Sequence, residues 1–369
     1  MKKHLRRIAV FICIFALCGT VLWGVWQIWF NPFRGTADFF GESKSLETVL
    51  TNEQALHDLD YIADRLKDRH PACIDGLPDK VRAAYELERE SIAGLAEVPV
   101  LSLWQSAARI FSSLGDAHTA VGVNIKDKRL PLTFLWEGDT LRCYGSDYNG
   151  YTVVEIGDKP VNSLYERFKS QFSFELESWA RYSFASRLNR GVYLAFIGVD
   201  TNGEVSLLLE NPADGGRYTV PFKLQEPADD GENGAEEAVF EYSVASGVGV
   251  FTLRQCDYTK EYKSALRDFF SEVQEQNARS VIVDLRDNPG GNSNVANEFI
   301  RYLPAESYQT GNAWVRFGPV LWKFNPYTQK NRHLTPVFSG DVYVLTGTYT
   351  FSSAMNFATL ISDNKLGTV

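Results

Sequence analysis

The sequence predicts an α/β core at its C-terminal end, preceded by a small helical region and a strand-rich segment, with one apolar helix at the N-terminus. Three observations predict it. From Gly247 onward, apolar strand-like runs alternate with amphipathic helical stretches, the pattern of a mostly parallel sheet covered by helices. Between about 51 and 115, apolar residues recur at helical spacing. Residues 8–30 form a run of 23 without a charge. At 369 residues the chain has room for two or three domains. Hydrophobic residues make up 44% and charged residues 22%, a globular composition that excludes a mainly disordered or collagen-like chain. A net charge of −9 argues against a general nucleic-acid binder.

Ile8 to Phe30 is interrupted only by Thr20, Gln27 and two glycines. At about 1.5 Å per residue such a helix spans a hydrocarbon core of about 30 Å. The run is longer than the roughly 7–15 apolar residues of a secretory signal, and no A-x-A site follows. Cys18 follows the bulky Leu17, which makes a poor lipid-attachment site. Trp23, Trp26 and Trp29 crowd the far end like an interfacial aromatic belt. Lys2, Lys3, Arg6 and Arg7 should keep the N-terminus cytoplasmic and place the rest outside. The expectation is an uncleaved single-pass anchor in the cell membrane; a cleaved signal peptide is the alternative. Beyond it only Cys73, Cys143 and Cys256 remain, with no C-x-x-C. They read as small buried hydrophobes.

The elements follow in order. Residues 31–50 form a linker opened by Asn31-Pro32. Thr51-Asn-Glu-Gln54 marks a helix start, Leu56, Leu59, Ile62, Ala63 and Leu66 supply its apolar face, and Pro71 closes it. Helices are expected over 79–95 and 100–114. Pro131–Trp136 and Thr140–Tyr144 flank Glu137-Gly138-Asp139 as a hairpin. Gly150–Ile156 is a strand turning at Gly157-Asp158, and 193–224 should add further strands. Glu226–Glu237 is acidic and reads as a loop or linker. In the core, strands are expected at 247–253, 280–285 and 342–346, and helices at 262–277, 294–302 and 352–361. This gives an anchor over 1–30, a linker over 31–50, a helical region over 51–125, a β-rich insert over 126–235 and an α/β core over 236–369.

Three short segments carry candidate chemistry. Ser352 opens a helix just after a buried strand, where unpaired N–H groups stabilise negative charge. The Ser353 N–H would be placed to bind an oxyanion, the logic of a strand–turn–helix nucleophile. Taken alone, Ser352 reads first as a helix N-cap. Pro289-Gly290-Gly291 follows the strand at 280–285, and its glycines let backbone N–H groups approach a ligand. A tight strand-to-helix turn also wants glycine there. His118 has Asp116 and Thr119 beside it. A neutral histidine within reach of a serine hydroxyl can take its proton. His57, His70 and His333 have no polar catalytic company in sequence. No second histidine stands four residues from His118, so no zinc helix is predicted, and no metal or organic cofactor is expected.

Taken together, these segments resemble the C-terminal processing, or tail-specific, serine peptidases of the S41 group. Asp284-Leu-Arg-Asp-Asn-Pro-Gly-Gly291 is similar to that family's D-L-R-x-N-x-G-G turn. Thr350-Phe-Ser-Ser-Ala354 is similar to its nucleophile segment, with Ser352 at the nucleophile place. Gly115-Asp-Ala-His-Thr119 resembles the G-D-x-H-T of the tricorn-like branch, whose histidine is the general base. Arg69-His70-Pro71 also resembles a segment of that branch. The resemblance implies a crotonase-like core and a membrane-anchored extracytoplasmic endopeptidase acting on peptides or proteins. It assigns Ser352 as nucleophile, His118 as base, Gly290 or Gly291 with Ser353 as oxyanion donors, and Asp116 as the candidate to orient His118. Activity should then fall as pH drops through the range where imidazoles titrate.

Residues 150–161 with the helix after them resemble the end of a PDZ-like module, which binds peptide tails by strand addition; an ordinary strand–turn–strand–helix unit fits equally. Two departures stand out. Met355 occupies the place where many members have glutamate. The family also continues well past this point, whereas Val369 lies 17 residues after Ser352. The expectation is a fragment whose third catalytic residue lies beyond Val369. The alternative is a non-catalytic peptide- or lipid-binding relative, inactive because that part is missing.

Overall fold

The computed structural model describes residues 2–31, 44–123, 125, 127–145, 147–226 and 238–369. Most of the linker expected over 31–50, and the acidic stretch after Glu226, lie outside the described residues.

Helix α1 (Lys2–Val25) runs into a wider π turn at Trp26–Phe30. Val10–Phe30 has a mean hydropathy of 2.0 and is long and apolar enough to cross a bilayer, as a membrane anchor or a signal sequence is. A short strand, β1 (Val49–Thr51), precedes α2 (Asn52–Arg69). The predicted start of α2 is a capping box. Thr51 Oγ1 accepts from the Gln54 N–H at 3.2 Å, and Gln54 Oε1 accepts from the Thr51 N–H at 3.0 Å. The helix stops because His70 precedes Pro71 and takes an extended conformation, ψ 131°.

Then come α3 (Asp79–Ala93), β2 (Glu97–Pro99) and α4 (Val100–Ser112). Ala55, Leu59, Ala63 and Leu66 are the buried face of α2; Leu56 and Ile62, from the predicted set, sit at its margin. They pack with Cys73, Val81, Ile92, Ala107 and Ile110. Arg109 grips the buried Glu88 with two bonds of 2.5 and 2.6 Å, tying α4 to α3.

The strand-rich segment holds β3 (Thr133–Glu137), β4 (Thr140–Tyr144), β5 (Tyr151–Ile156) and β6 (Lys159–Pro160). Helices α5 (Val161–Gln171), α6 (Glu177–Ala185) and α7 (Gly191–Phe196) follow, then β7 (Glu204–Glu210) and β8 (Arg217–Lys223). The antiparallel sheet has the order β3-β4-β5-β7-β8, with β6 off β5. The stretch expected to be strands from 193 onward begins instead as α7. A short apolar run such as Val192–Phe196 cannot be told from a strand by periodicity.

The core contains β9 (Phe240–Ala245), β10 (Val248–Leu253), α8 (Lys260–Glu275), β11 (Ser280–Asp284) and α9 (Asn294–Ile300). It continues through β12 (Ser307–Gln309), a hairpin of β13 (Ala313–Phe317) and β14 (Val320–Phe324), β15 (Thr328–Lys330), β16 (Asp341–Leu345) and α10 (Ser353–Asp363). The sheet order is β16-β11-β10-β9, the first three parallel and β9 antiparallel. Thr368 continues it beside Tyr343. Parallel neighbours need a crossover, and α8 supplies the one between β10 and β11. Its face of Tyr262, Leu266, Phe269, Phe270 and Val273 is buried. It lies close because β10 carries Gly249, where a Cβ would come within 2.8 Å of Val273.

The chain divides into two compact units. One comprises Met1–Glu175, Arg187–Glu226 and Ala313–Phe324; the other comprises Leu176–Ser186, Pro227–Asn312 and Asn325–Val369. Helix α6 therefore belongs with the α/β sheet, and the β13–β14 hairpin belongs with the helical and strand-rich unit.

Candidate active site

In the α/β unit, β16 ends at Leu345 and a seven-residue turn delivers Ser352 to the head of α10. The turn is tied at several points. Thr350 donates its hydroxyl to the Leu285 carbonyl at 2.7 Å and accepts from the Gly347 N–H at 2.8 Å. The Phe351 N–H donates to the Asn288 carbonyl at 3.0 Å. Ser352 itself has φ 53° and ψ −121°, a region a non-glycine residue occupies at a cost of about 1–3 kcal/mol. Its side chain makes no cap hydrogen bond. The N-cap reading therefore fails on geometry: the hydroxyl is not spent on the helix, and the backbone is strained where a cap would be relaxed.

The glycine turn explains its own letters. Asp284 pairs with Arg286, Oδ2 to Nη2 at 2.6 Å, and hydrogen bonds from Arg286 hold the Asp284 carboxyl below the usual carboxylate range. Asn288 is fully buried and knots three segments. It donates to the Leu253 carbonyl, accepts from the Gly290 N–H at 2.8 Å, and receives Phe351 at its carbonyl. Gly290 has φ 104°, and a Cβ there would stand 2.6 Å from Ser352 Cβ and 2.9 Å from the Ser353 nitrogen. Only glycine permits that approach.

The structure thus brings Gly290, Ser352 and Ser353 together. It also separates the two glycines offered as oxyanion donors. The Gly290 N–H is committed to Asn288, whereas the N–H groups of Gly291 and Ser353 meet no acceptor among the described residues. The Ser353 hydroxyl donates to the Gly291 carbonyl at 2.7 Å and meets Ser293 at 3.0 Å, which fixes that side of the turn. Beside Ser352, Phe351 stacks on Trp179 of α6 with centroids 4.1 Å apart, and Tyr182 stacks on Tyr349 at 4.5 Å. This aromatic wall was invisible in sequence, because α6 lies far from Ser352 along the chain.

In the other unit, Asp116 organises the Gly115–Thr119 loop. It accepts from the His118 N–H at 2.9 Å and the Thr119 hydroxyl at 2.6 Å. The buried Ser173 hydroxyl clamps its backbone, donating to the Asp116 carbonyl at 2.7 Å and accepting from the Asp116 N–H at 3.0 Å. Burial works against ionisation of Asp116, but the bonds from Thr119, His70 and the His118 backbone outweigh it and leave the carboxyl below its ordinary value.

The histidine ring bonded to Asp116 is that of His70, with Nε2 at 3.0 Å from Oδ2; the His118 Nδ1 lies 3.7 Å from Oδ1. Asp116 therefore orients His118 through its backbone rather than through a ring hydrogen bond. His70 Nδ1 accepts from the Ala72 N–H, so the proton sits on Nε2 and points at Asp116. With both ring nitrogens engaged, His70 has none to offer as a base. Its partner was not legible in local sequence; the Arg69-His70-Pro71 resemblance was the only signal. Glu175 is the other residue sequence reasoning missed. One donor atom each of Asp116, His118 and Glu175 lies within 4.8 Å of the others, and this carboxylate–imidazole set is the group able to hold a cation among the described residues.

Cys73, Cys143 and Cys256 are buried and free, as expected of small hydrophobes. Burial pushes the Cys143 and Cys256 thiols up to about 11, which removes them as nucleophiles.

Residues 247–369 match the model of peptidase family S41. That match spans a third of the chain and supports an S41 family peptidase. The chain has a mixed α/β fold that solved structures share over 85% of its length. Mature CPAF complexed with lactacystin superposes with a TM-score of 0.62 at 13% identity, covering 85% of this chain and 83% of that one. Mature CPAF alone gives 0.60 at 12%, covering 85% and 82%. The photosystem II D1 C-terminal processing protease gives 0.40 at 12%, covering 86% and 80%. No curated protein matches the sequence. The family match supports a serine peptidase in general, a class whose substrates are peptides or proteins.

Proposed function

We propose that this chain is a membrane-anchored, extracytoplasmic serine endopeptidase that works through an acyl-enzyme on Ser352. The observation that carries the reading is Ser352 itself: a strained backbone at φ 53° on a strand-to-helix turn, with a hydroxyl not used as a cap. In the reaction, the Ser352 hydroxyl oxygen attacks the scissile carbonyl while His118 takes its proton. His118 Nε2 is the acceptor, because Nδ1 is the ring nitrogen nearer Asp116. The tetrahedral oxyanion is met by the N–H groups of Ser353 and Gly291, both without another acceptor among the described residues. Collapse breaks the C–N bond, and His118 returns the proton to the departing amine. Water, deprotonated by the same histidine, then releases the acyl group and restores Ser352.

In this reading, residues 1–30 anchor the chain and 31–50 link it outward. Residues 51–125 carry His118, and 236–369 form a crotonase-like core. Residues 126–235 receive the substrate peptide in a PDZ-like manner; β3 and β8, the outer strands of their sheet among the described residues, offer edges for strand addition. The test is hydrolysis of unstructured protein substrates by the full chain, by Ser352→Ala and by His118→Ala. Activity lost in both variants, with folding intact, supports the assignment. Activity retained in Ser352→Ala overturns it. A folded wild-type chain that binds peptide and never cleaves it is the non-catalytic relative.

A further inference from the structure

The β13–β14 hairpin turns through Gly318-Pro319 and pairs Phe317 with Val320, Val315 with Trp322 and Ala313 with Phe324. Residues directly opposite in an antiparallel pair share a face. All six of these are apolar, so one face of the hairpin carries no polar side chain. Val320, Trp322 and Phe324 are 44%, 57% and 45% exposed on it. Among the described residues the hairpin is a sheet of two strands with no third.

The opposite face is mixed, with Arg316 and Lys323 beside Leu321 and the 53% exposed Trp314. Arg316 donates to the His70 carbonyl at 2.9 Å, and Lys323 lies over the Trp314 ring at 4.6 Å. Both charged side chains lie on that second face, so the exposed apolar face is a patch suited to something other than water.

The neighbour of that apolar side is the end of the N-terminal apolar helix. Trp26 meets Phe317 with centroids 6.0 Å apart. A cavity of about 420 Å³ is lined by Trp26, Phe30, Phe317, Val320, Trp322 and Phe324, apolar without exception. When Val10–Phe30 crosses a bilayer, its tryptophan-rich end lies at the lipid headgroup level. Whatever packs on that end lies at the same level. We infer that the apolar face of the 313–324 hairpin seats in the outer boundary of the same bilayer, as a second, monotopic contact beside the anchor. Its large side chains are tryptophan and phenylalanine, the types that settle in the interface. This rests on the reading of residues 8–30 as a membrane span.

The test is photo-crosslinking of the full chain reconstituted in phosphatidylcholine–phosphatidylglycerol vesicles that carry a clickable lipid. A benzophenone amino acid replaces Trp322, Phe324, Leu17 or the exposed Tyr61 of α2, one at a time. Lipid adducts at 322, 324 and 17, with background at 61, support the inference. Adducts at 17 without any at 322 or 324 overturn it while leaving the anchor standing. Background at 17, 322 and 324 overturns both. Chain-to-chain adducts at 322 and 324 in place of lipid overturn it and make the face an interface between copies.

Discussion

Two loops carry the candidate chemistry, and they are built differently. The loop before Ser352 is held from below: Thr350, Asn288 and Ser353 are all buried, and each bonds backbone of a neighbouring segment. The loop of His118 is held from one side by Asp116, itself gripped by Ser173 and His70, while the His118 ring is more than half exposed. The proposed nucleophile must keep one strained geometry, which over-determined surroundings can hold. In the proposed reaction the proton carrier needs a fixed position and an accessible ring, and His118 has both an anchored backbone and an exposed ring.

The comparison is sharpened most by removing each reacting group. Ser352→Ala should cut peptide hydrolysis about 10⁴-fold or more, and His118→Ala about 10²–10⁴-fold. An equal rate in wild type and Ser352→Ala, measured on purified protein, breaks the account of the first loop.

Next comes Gly290→Ala, which removes neither reacting group. Its Cβ would press on Ser352 Cβ from a backbone at φ 104°. It should cost about 2–4 kcal/mol in urea unfolding and remove most activity. Gly122→Ala, where a Cβ meets nothing within 4 Å, is the control in the other unit and should change little.

His70→Ala should be milder, because His70 acts through Asp116. We expect a roughly tenfold fall in kcat with KM nearly unchanged, since the His118 ring loses only its backbone support. A fall as deep as that of His118→Ala would contradict a role that runs only through Asp116.

The smallest effect is on acid stability. The Asp116 carboxyl ionises below its ordinary value, so its contribution is complete above about pH 4 and is lost as pH falls through its lower folded value. The stability gap between wild type and Asp116→Asn should therefore narrow below about pH 4. A gap that stays constant down to pH 2.5 would contradict it.

The first loop was largely legible in sequence and the second only partly, for a physical reason. Asp284, Asn288, Gly290 and Ser352 do their work through backbone geometry at short range, and such geometry dictates residue type. The buried strands Val248–Leu253 and Ser280–Asp284 were plain from their apolar runs, as was the capped start of α2. What could not be read was anything formed between distant segments. Neither the partnership of His70 with Asp116, 46 residues away, nor the stacking of Trp179 on Phe351 leaves a local pattern. The apolar face of the 313–324 hairpin was hidden because Arg316 and Lys323 interrupt the apolar run in sequence while lying on its other side. Gly290 and Gly291 looked interchangeable as donors until Asn288 was seen to occupy one of them.

The central claim is that the hydroxyl of Ser352 is a nucleophile. The most direct measurement is reaction of the folded chain with a fluorophosphonate, followed by mass mapping of the adduct. The account predicts one adduct, on the peptide containing Ser352, absent from Ser352→Ala and slowed in His118→Ala. An unlabelled folded chain, or an adduct that persists in Ser352→Ala, would contradict it.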